Sequence, residues 1–349
     1  MRKKLIYILF MLILFTSCEE YYNPKIDTVE GQLVVEALIT NDPSKNFVHL
    51  TKTTTFYNKQ SSNAVSGAKV ELIQINGQTV QGTESGMGYF NFNTVPVIGQ
   101  NYKLRIYFNN DTYESEVVTM PPIPSITTFY TGHVEKKVYI TDGYGVPVAY
   151  NQISRELYVD APVDGALSNY RFNTRAVLVW IYSPSPKDGP PPPPTYGWLS
   201  LYSRSQFNIA GPKIFSQSDK IEKHPLMTMP YDASIYLKPD SFPNGWILII
   251  DQYGTSRGSF EFHEKLNNQF SADGSLFDPI QTQIFGNITC KTDPSKITFG
   301  YFDLNSYRQY RYFLRMSHPK SEVYVRQIFR YPFIPDQGVK KEFPPDWWE

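Results

Sequence analysis

Gly254-Thr255-Ser256-Arg257-Gly258 spell a G-x-S-x-G pattern, the spacing that exposes a serine nucleophile on a sharp strand-to-helix turn. Asp273, Asp278, Asp293 or Asp303, followed by His318, would complete the hydrolase order of serine, acid and histidine. Such an elbow belongs to a parallel sheet built from repeated βαβ units, and this chain offers one convincing helix. Asp251 to Tyr253 also separate the preceding apolar strand from the motif. The expectation is that Ser256 is a polar residue of the turn leading into that helix and not a nucleophile. A serine hydrolase using Ser256 stands as an alternative. His49, His133, His224, His263 and His318 are scattered, with no His-x-x-x-His and no cysteine pair, so the spacing of a zinc site is missing. There is no phosphate loop, and "NNDTYESE" is acidic without the spacing of a calcium hand. No metal or cofactor is expected.

One covalent chemistry is written at the start of the chain. Arg2, Lys3 and Lys4 precede an apolar run from Leu5 to Phe15, which is too short for a membrane span of roughly 20 residues. That is the pattern of a secretory signal peptide over residues 1–17. Thr16-Ser17-Cys18 follows and resembles the bacterial lipobox, whose cysteine is acylated and becomes the new N-terminus; Phe15 stands where that motif usually has Leu. Glu19 and Glu20 resemble the tag that sends Bacteroidetes-type lipoproteins to the outer face of the outer membrane. The chain is therefore expected on the cell surface, held to the outer membrane through lipid on Cys18.

Composition narrows the partners. Lys and Arg number 33, Asp and Glu 33. This balance argues against nucleic acid, which calls for a clustered basic surface. Cys18 and Cys290 are the two cysteines. With Cys18 lipidated, Cys290 has no intramolecular partner, and its place in "GNITCKT" reads as a small strand hydrophobe. The 26 Tyr, 23 Phe and 5 Trp suit pleated surfaces, while 27 Pro and 21 Gly interrupt helices, so the fold class is mainly β.

The elements that would position any site follow from alternation and turn residues. Residues 18–30 form a tether. "LVVEALIT", "NFVHLTKTT", "AKVELIQIN", "GYFNFNTV", "NYKLRIYF" and "TYESEVVTM" alternate as short strands, separated by turns such as Asn76-Gly77 and Asn109-Asn110-Asp111. They predict a β-sandwich over 31–120. The proline-rich stretch 121–126 reads as a linker, and 127–349 as a second β-rich domain with one short helix. Trp246 to Ile250 form a buried strand, and "SFEFHEKLNNQFSADG" is the helix, with Ser259 placed to cap it. A proline-rich loop at 184–195 carries Pro190, Pro191, Pro192, Pro193 and Pro194, an extended polyproline segment. That segment, and Trp347 and Trp348 in the closing "FPPDWWE", are candidate partner-binding residues. Each also has a plain structural reading, as an exposed insertion and as a lid over the chain's own core.

Two resemblances add to this reading. The run from "VSGAKVELIQINGQTV" through "GYFNFNTVPVIGQNYKLRIYF" is similar to carboxypeptidase-regulatory-like and transthyretin-like sandwiches, which implies an Ig-like N-terminal fold. "FHEKLNNQ", "GSLFDPIQTQIFGNITC", "ITFGYFDL", "LVVEALIT" and "FPPDWW" together resemble the lipoprotein family catalogued as domain of unknown function 4249. Members of that family typically accompany TonB-dependent outer-membrane transporters, so the resemblance implies an accessory or scaffolding subunit of such a transporter or of another β-barrel complex. Many members carry a C-terminal cysteine pair that this chain lacks. No catalytic residue transfers. A free-standing glycan- or peptide-binding lipoprotein is the alternative, prompted by the stock of Tyr and Trp.

Overall fold

In Leu33–Thr40 every second side chain faces inward: Leu33, Val35, Ala37 and Ile39 are buried, while Glu36 is exposed between them. That alternation is the period of a strand with one face on a core, and it recurs through a chain that is mainly β. The computed structural model describes residues 31–54, 63–125, 128–141, 145–163, 167–182, 189–190, 195–203, 207–212, 220–230, 241–270, 283–315, 325–327 and 337–340. The first strands are β1 (Leu33–Thr40), β2 (Phe47–Lys52), β3 (Lys69–Gln74), β4 (Thr79–Gln81), β5 (Thr83–Gly86), β6 (Tyr89–Asn91), β7 (Asn101–Phe108), β8 (Asp111–Ser115) and β9 (Val118–Thr119). Longer ones follow: β10 (Thr128–Thr141), β11 (Pro147–Pro162), β12 (Asn169–Tyr182), β13 (Thr195–Tyr202), β14 (Asn208–Ala210), β15 (Lys220–Pro230) and β16 (Ser241–Thr255). The helix α1 (Arg257–Phe270) precedes β17 (Ile288–Cys290), β18 (Phe299–Arg315), β19 (Val325–Gln327) and β20 (Gln337–Lys340).

Two sheets face each other in the first unit. One runs β5-β6-β2-β1-β18 and the other β4-β3-β7-β8-β17. Val35, Ile39, Leu50 and Phe90 from one meet Val70, Leu72, Leu104 and Ile106 from the other in a single core. Burying each such side chain stabilises the fold by about 1.5–3 kcal/mol. The β7–β8 hairpin closes on Asn109 and Asn110, both at positive φ, as a two-residue turn between paired Phe108 and Asp111 requires.

The expected boundary between 31–120 and 127–349 is crossed by the sheets. β17 pairs β8 through Ile288↔Ser115, and the first half of β18 lies parallel to β1 from Val34↔Phe299 to Thr40↔Asn305. Two strands from beyond residue 280 thus complete the first unit. β18 then runs on antiparallel to β16, from Gly254↔Ser306 to Gly245↔Arg315. A single 17-residue strand therefore belongs to both units.

In the second unit β12 and β16 lie at the centre, and both faces are buried. Ala176, Leu178, Trp246, Leu248 and Ile250 pack under the three-stranded sheet β10-β11-β15, which contributes Leu157, Val159, Met227 and Met229. Val177, Val179, Ile247 and Ile249 are buried on the opposite face. Strands covered on both faces read as continuous apolar runs, here "AVLVW" and "WILII", in line with the expected buried strand at Trp246 to Ile250.

β10 and β11 form a ribbon paired from Thr128↔Asp160 to Thr141↔Pro147. Among the described residues β15 pairs with β11 as far as Ser154↔Pro230. Phe129 anchors the base of the ribbon against Tyr310 and Tyr312. Farther out, among the described residues, neither edge has a partner strand, and Tyr139, Val146, Val148 and Ile153 are exposed, Tyr139 to 71%.

Candidate functional site

The G-x-S-x-G segment joins β16 to α1, so its setting decides what Ser256 can do. β16 has antiparallel neighbours, β12 and β18, where a nucleophile elbow has parallel ones. Ser256 Oγ accepts from the Ser259 backbone N–H at 3.2 Å, which caps the helix. This corrects the expectation that Ser259 is the cap: α1 begins at Arg257, and Ser259 sits in its first turn. The motif's glycines are explained by packing. A Cβ on Gly254 would press on Ser306 Oγ and Leu167, and one on Gly258 on the Tyr301 hydroxyl.

Below the cap, α1 is pinned to the sheet by buried polar groups. Ser259 Oγ donates to Asp303 Oδ1 at 2.5 Å, and Arg171 Nη1 donates to Asp303 Oδ2 at 3.2 Å. His263 lies between them. Its Nδ1 is 2.8 Å from the Ser259 carbonyl, which can only accept, and its Nε2 is 3.2 Å from Arg171 Nη1, which can only donate. The ring is thereby fixed as the neutral tautomer with the proton on Nδ1. Burial depresses its pKa; Asp303 works against that shift and Arg171 adds to it. The Arg171 guanidinium also lies over the Tyr253 ring at 4.8 Å, and burial pushes the Tyr253 phenol up.

Both nitrogens of His263 are committed, and Ser259 and Asp303 are almost completely buried. The cluster can clamp a helix; it presents no base to Ser256. Of the other acids weighed, Asp293 accepts from the Ser295 N–H and hydroxyl, while Asp273, Asp278 and His318 lie outside the described residues. So do Cys18, Glu19, Glu20, Pro191, Pro192, Pro193, Pro194, Trp347 and Trp348. Pro190 is described and exposed, beside Gly189 at positive φ. Cys290 is buried in β17, with its sulfur 3.3 Å from Thr292 Oγ1. Among the described residues no group of histidine, cysteine, aspartate or glutamate could hold a metal ion, and no helix is long and apolar enough to cross a membrane.

The family described as Domain of unknown function (DUF4249) matches residues 19–311. The chain belongs to that family. The DUF4249 match takes in both units, including Arg171, His263 and Asp303, and ends within β18. No curated protein and no solved structure matches the chain. The clamp of this DUF4249 chain was not foreseen from sequence. The one signal was His263 on the apolar side of a predicted helix, and its partners stand 92 and 44 positions from it and from Ser259.

Proposed function

We propose that this protein is a surface lipoprotein of the outer membrane that docks onto a β-barrel partner, a TonB-dependent transporter or another barrel complex, as an accessory or scaffolding subunit. Lipid on Cys18 anchors it, and Glu19 and Glu20 direct its display. Its N-terminal unit serves as an Ig-like, transthyretin-like platform, and its role is binding, not catalysis. The observation that carries the docking role is the β10–β11 ribbon. An isolated two-stranded ribbon is marginal in water, yet this one extends past β15 with Tyr139, Val146, Val148 and Ile153 exposed. Edges without a partner strand among the described residues, together with exposed apolar side chains, are costs that a free-standing domain avoids and a partner would remove.

The test is to shorten the ribbon by removing residues 135–153 and joining the paired Val134 and Ser154 with an Asn-Gly turn. Native gels of gently solubilised membranes should show the parent in a complex well above its own 40.2 kDa. The shortened chain should leave that complex while its thermal unfolding changes little. A parent that migrates alone across several detergents would overturn the docking role.

A further inference from the structure

The outward face of the sheet β18-β1-β2-β6 is ordered in rows by its register. Tyr301, Glu36, His49 and Tyr89 stand directly opposite one another across the four strands. The next row holds Asp303, Leu38, Phe47 and Asn91. With strands about 4.8 Å apart, the first row spans about 14 Å. Aromatic rings stand at both ends of it. His49 and Tyr89 stack at 3.9 Å with nearly parallel rings, and at the other end Phe262 of α1 stacks on Tyr301 at 4.7 Å. Between them rises Glu36, its side chain 71% exposed, with His49 Nδ1 at 3.8 Å its one ion-pair neighbour among the described residues.

Several rings and acids elsewhere are covered by the chain's own cations. Lys69 lies over Tyr107, Lys223 over Tyr158 and Lys45 over Tyr307. On the opposite sheet's outward face Glu114 is held by Lys103 and Arg105, and Glu71 by Lys69. Among the described residues no lysine or arginine lies over Tyr89, His49 or Tyr301. A carboxylate beside aromatic rings that carry no cation of the chain's own is an arrangement that attracts a cation with an apolar stem. Glu116 and Glu261 add negative field at the Tyr301 end, and Glu261 is partly offset by its pair with Arg257.

We propose that this face receives a basic side chain, lysine or arginine, carried by an extended segment of the partner protein. The cation meets the Glu36 carboxylate beside the His49–Tyr89 stack, and its aliphatic stem lies along Leu38 and Phe47. The proposal rests on the docking role above and names the chemistry of the contact.

The full chain in detergent should be titrated with acetyl-Gly-Arg-Gly-amide and with the same peptide carrying citrulline, the uncharged isostere of arginine. NMR signals of Glu36, His49 and Tyr89 report binding. Saturable shifts with the arginine peptide, absent with citrulline and weakened about tenfold or more in Glu36→Gln and in Tyr89→Ala, are the expected result. The Glu36 side chain is solvent-facing, so Glu36→Gln should keep the parent's melting temperature. Tyr89→Ala loses the stack on His49 and should melt slightly lower but cooperatively. Equal shifts from both peptides, or none from the arginine peptide up to about 10 mM, would overturn the proposal. Shifts from a neutral methyl glycoside in place of the peptide would also overturn it and give the face to carbohydrate. A barrel complex that survives in Glu36→Gln, with no peptide response in the parent, sinks this contact alone. A peptide response without any barrel complex keeps the contact and sinks the docking role.

Discussion

Arg171 Nη1 stands 3.2 Å from His263 Nε2, so a fixed cation donates to an imidazole that has to stay neutral. Protonating Nε2 would remove that acceptor and set two positive groups against each other, with Asp303 Oδ2 at 3.6 Å giving partial relief. His263 ionises near 6.5 when unfolded and below that when folded. As pH falls below 6.5 the unfolded chain gains a proton that the folded chain refuses. Stability from this group is complete above pH 6.5 and is lost toward the folded pKa. Burial lowers the pKa of His224 as well, with the same sign. Urea midpoints should fall between about pH 7.5 and 5.5, and should fall less in His263→Gln. An equal fall in the variant would exclude His263 as the source.

Asp303 accepts from both Ser259 and Arg171. Asp303→Ala should destabilise the chain by about 3 kcal/mol, because it strands a mostly buried guanidinium. Ser256→Ala removes the helix cap and the contact with the Tyr301 hydroxyl, and should cost about 1 kcal/mol. Urea titrations of both variants give the ranking. The parent should take up no fluorophosphonate; stoichiometric labelling lost in Ser256→Ala would overturn the non-catalytic reading.

Gly300, paired with Val35 as the second residue of the parallel β1–β18 ladder, sits at positive φ, and a Cβ there would collide with the Val35 backbone, carbonyl oxygen first. Gly300→Ala combines conformational strain with a clash against main chain, and should cost several kcal/mol. Soluble yield and the urea midpoint should both drop sharply. Gly31→Ala is the control: its φ is also positive, but its surroundings are open. It should cost about 1 kcal/mol.

Acyl chains on Cys18 would hold the protein at about 0.8 kcal/mol per buried methylene. Cys18→Ala should release it from carbonate-washed membranes. Replacing Glu19 and Glu20 with alanine should leave it membrane-bound but shielded from protease added to whole cells. Unchanged fractionation of the first variant, or equal shaving of the second, would remove the corresponding role.

Local features were legible. "LVVEALIT", "NYKLRIYF" and the Asn109-Asn110 turn became β1, β7 and the β7–β8 hairpin because alternation and αL-tolerant residues act within a few positions. Helix α1 was placed with its cap three residues late, at Ser259 in place of Ser256. What stayed hidden was long-range. The alternation of Phe299 to Asn305 says that the segment is a strand but not that its partner is β1, so the return of β17 and β18 to the first unit could not be read. The clamp joins Arg171 and Asp303 across 132 positions. Glu36 and His49 were visible only as polar residues within apolar runs, and their opposition depends on the β1–β2 register.

The sharing of β18 also sets how the molecule carries mechanical load. β1 follows the N-terminal segment, and β18 lies parallel to it before running on into the second unit. Tension between residue 31 and that unit would draw β1 toward its N-terminal end and β18 toward its C-terminal end. The ladder between them is then loaded in shear, where its hydrogen bonds must yield together instead of parting one after another like a zipper. A chain tethered at its N-terminus and gripped through its second unit would pass a pull straight from one to the other, with no hinge between to absorb it.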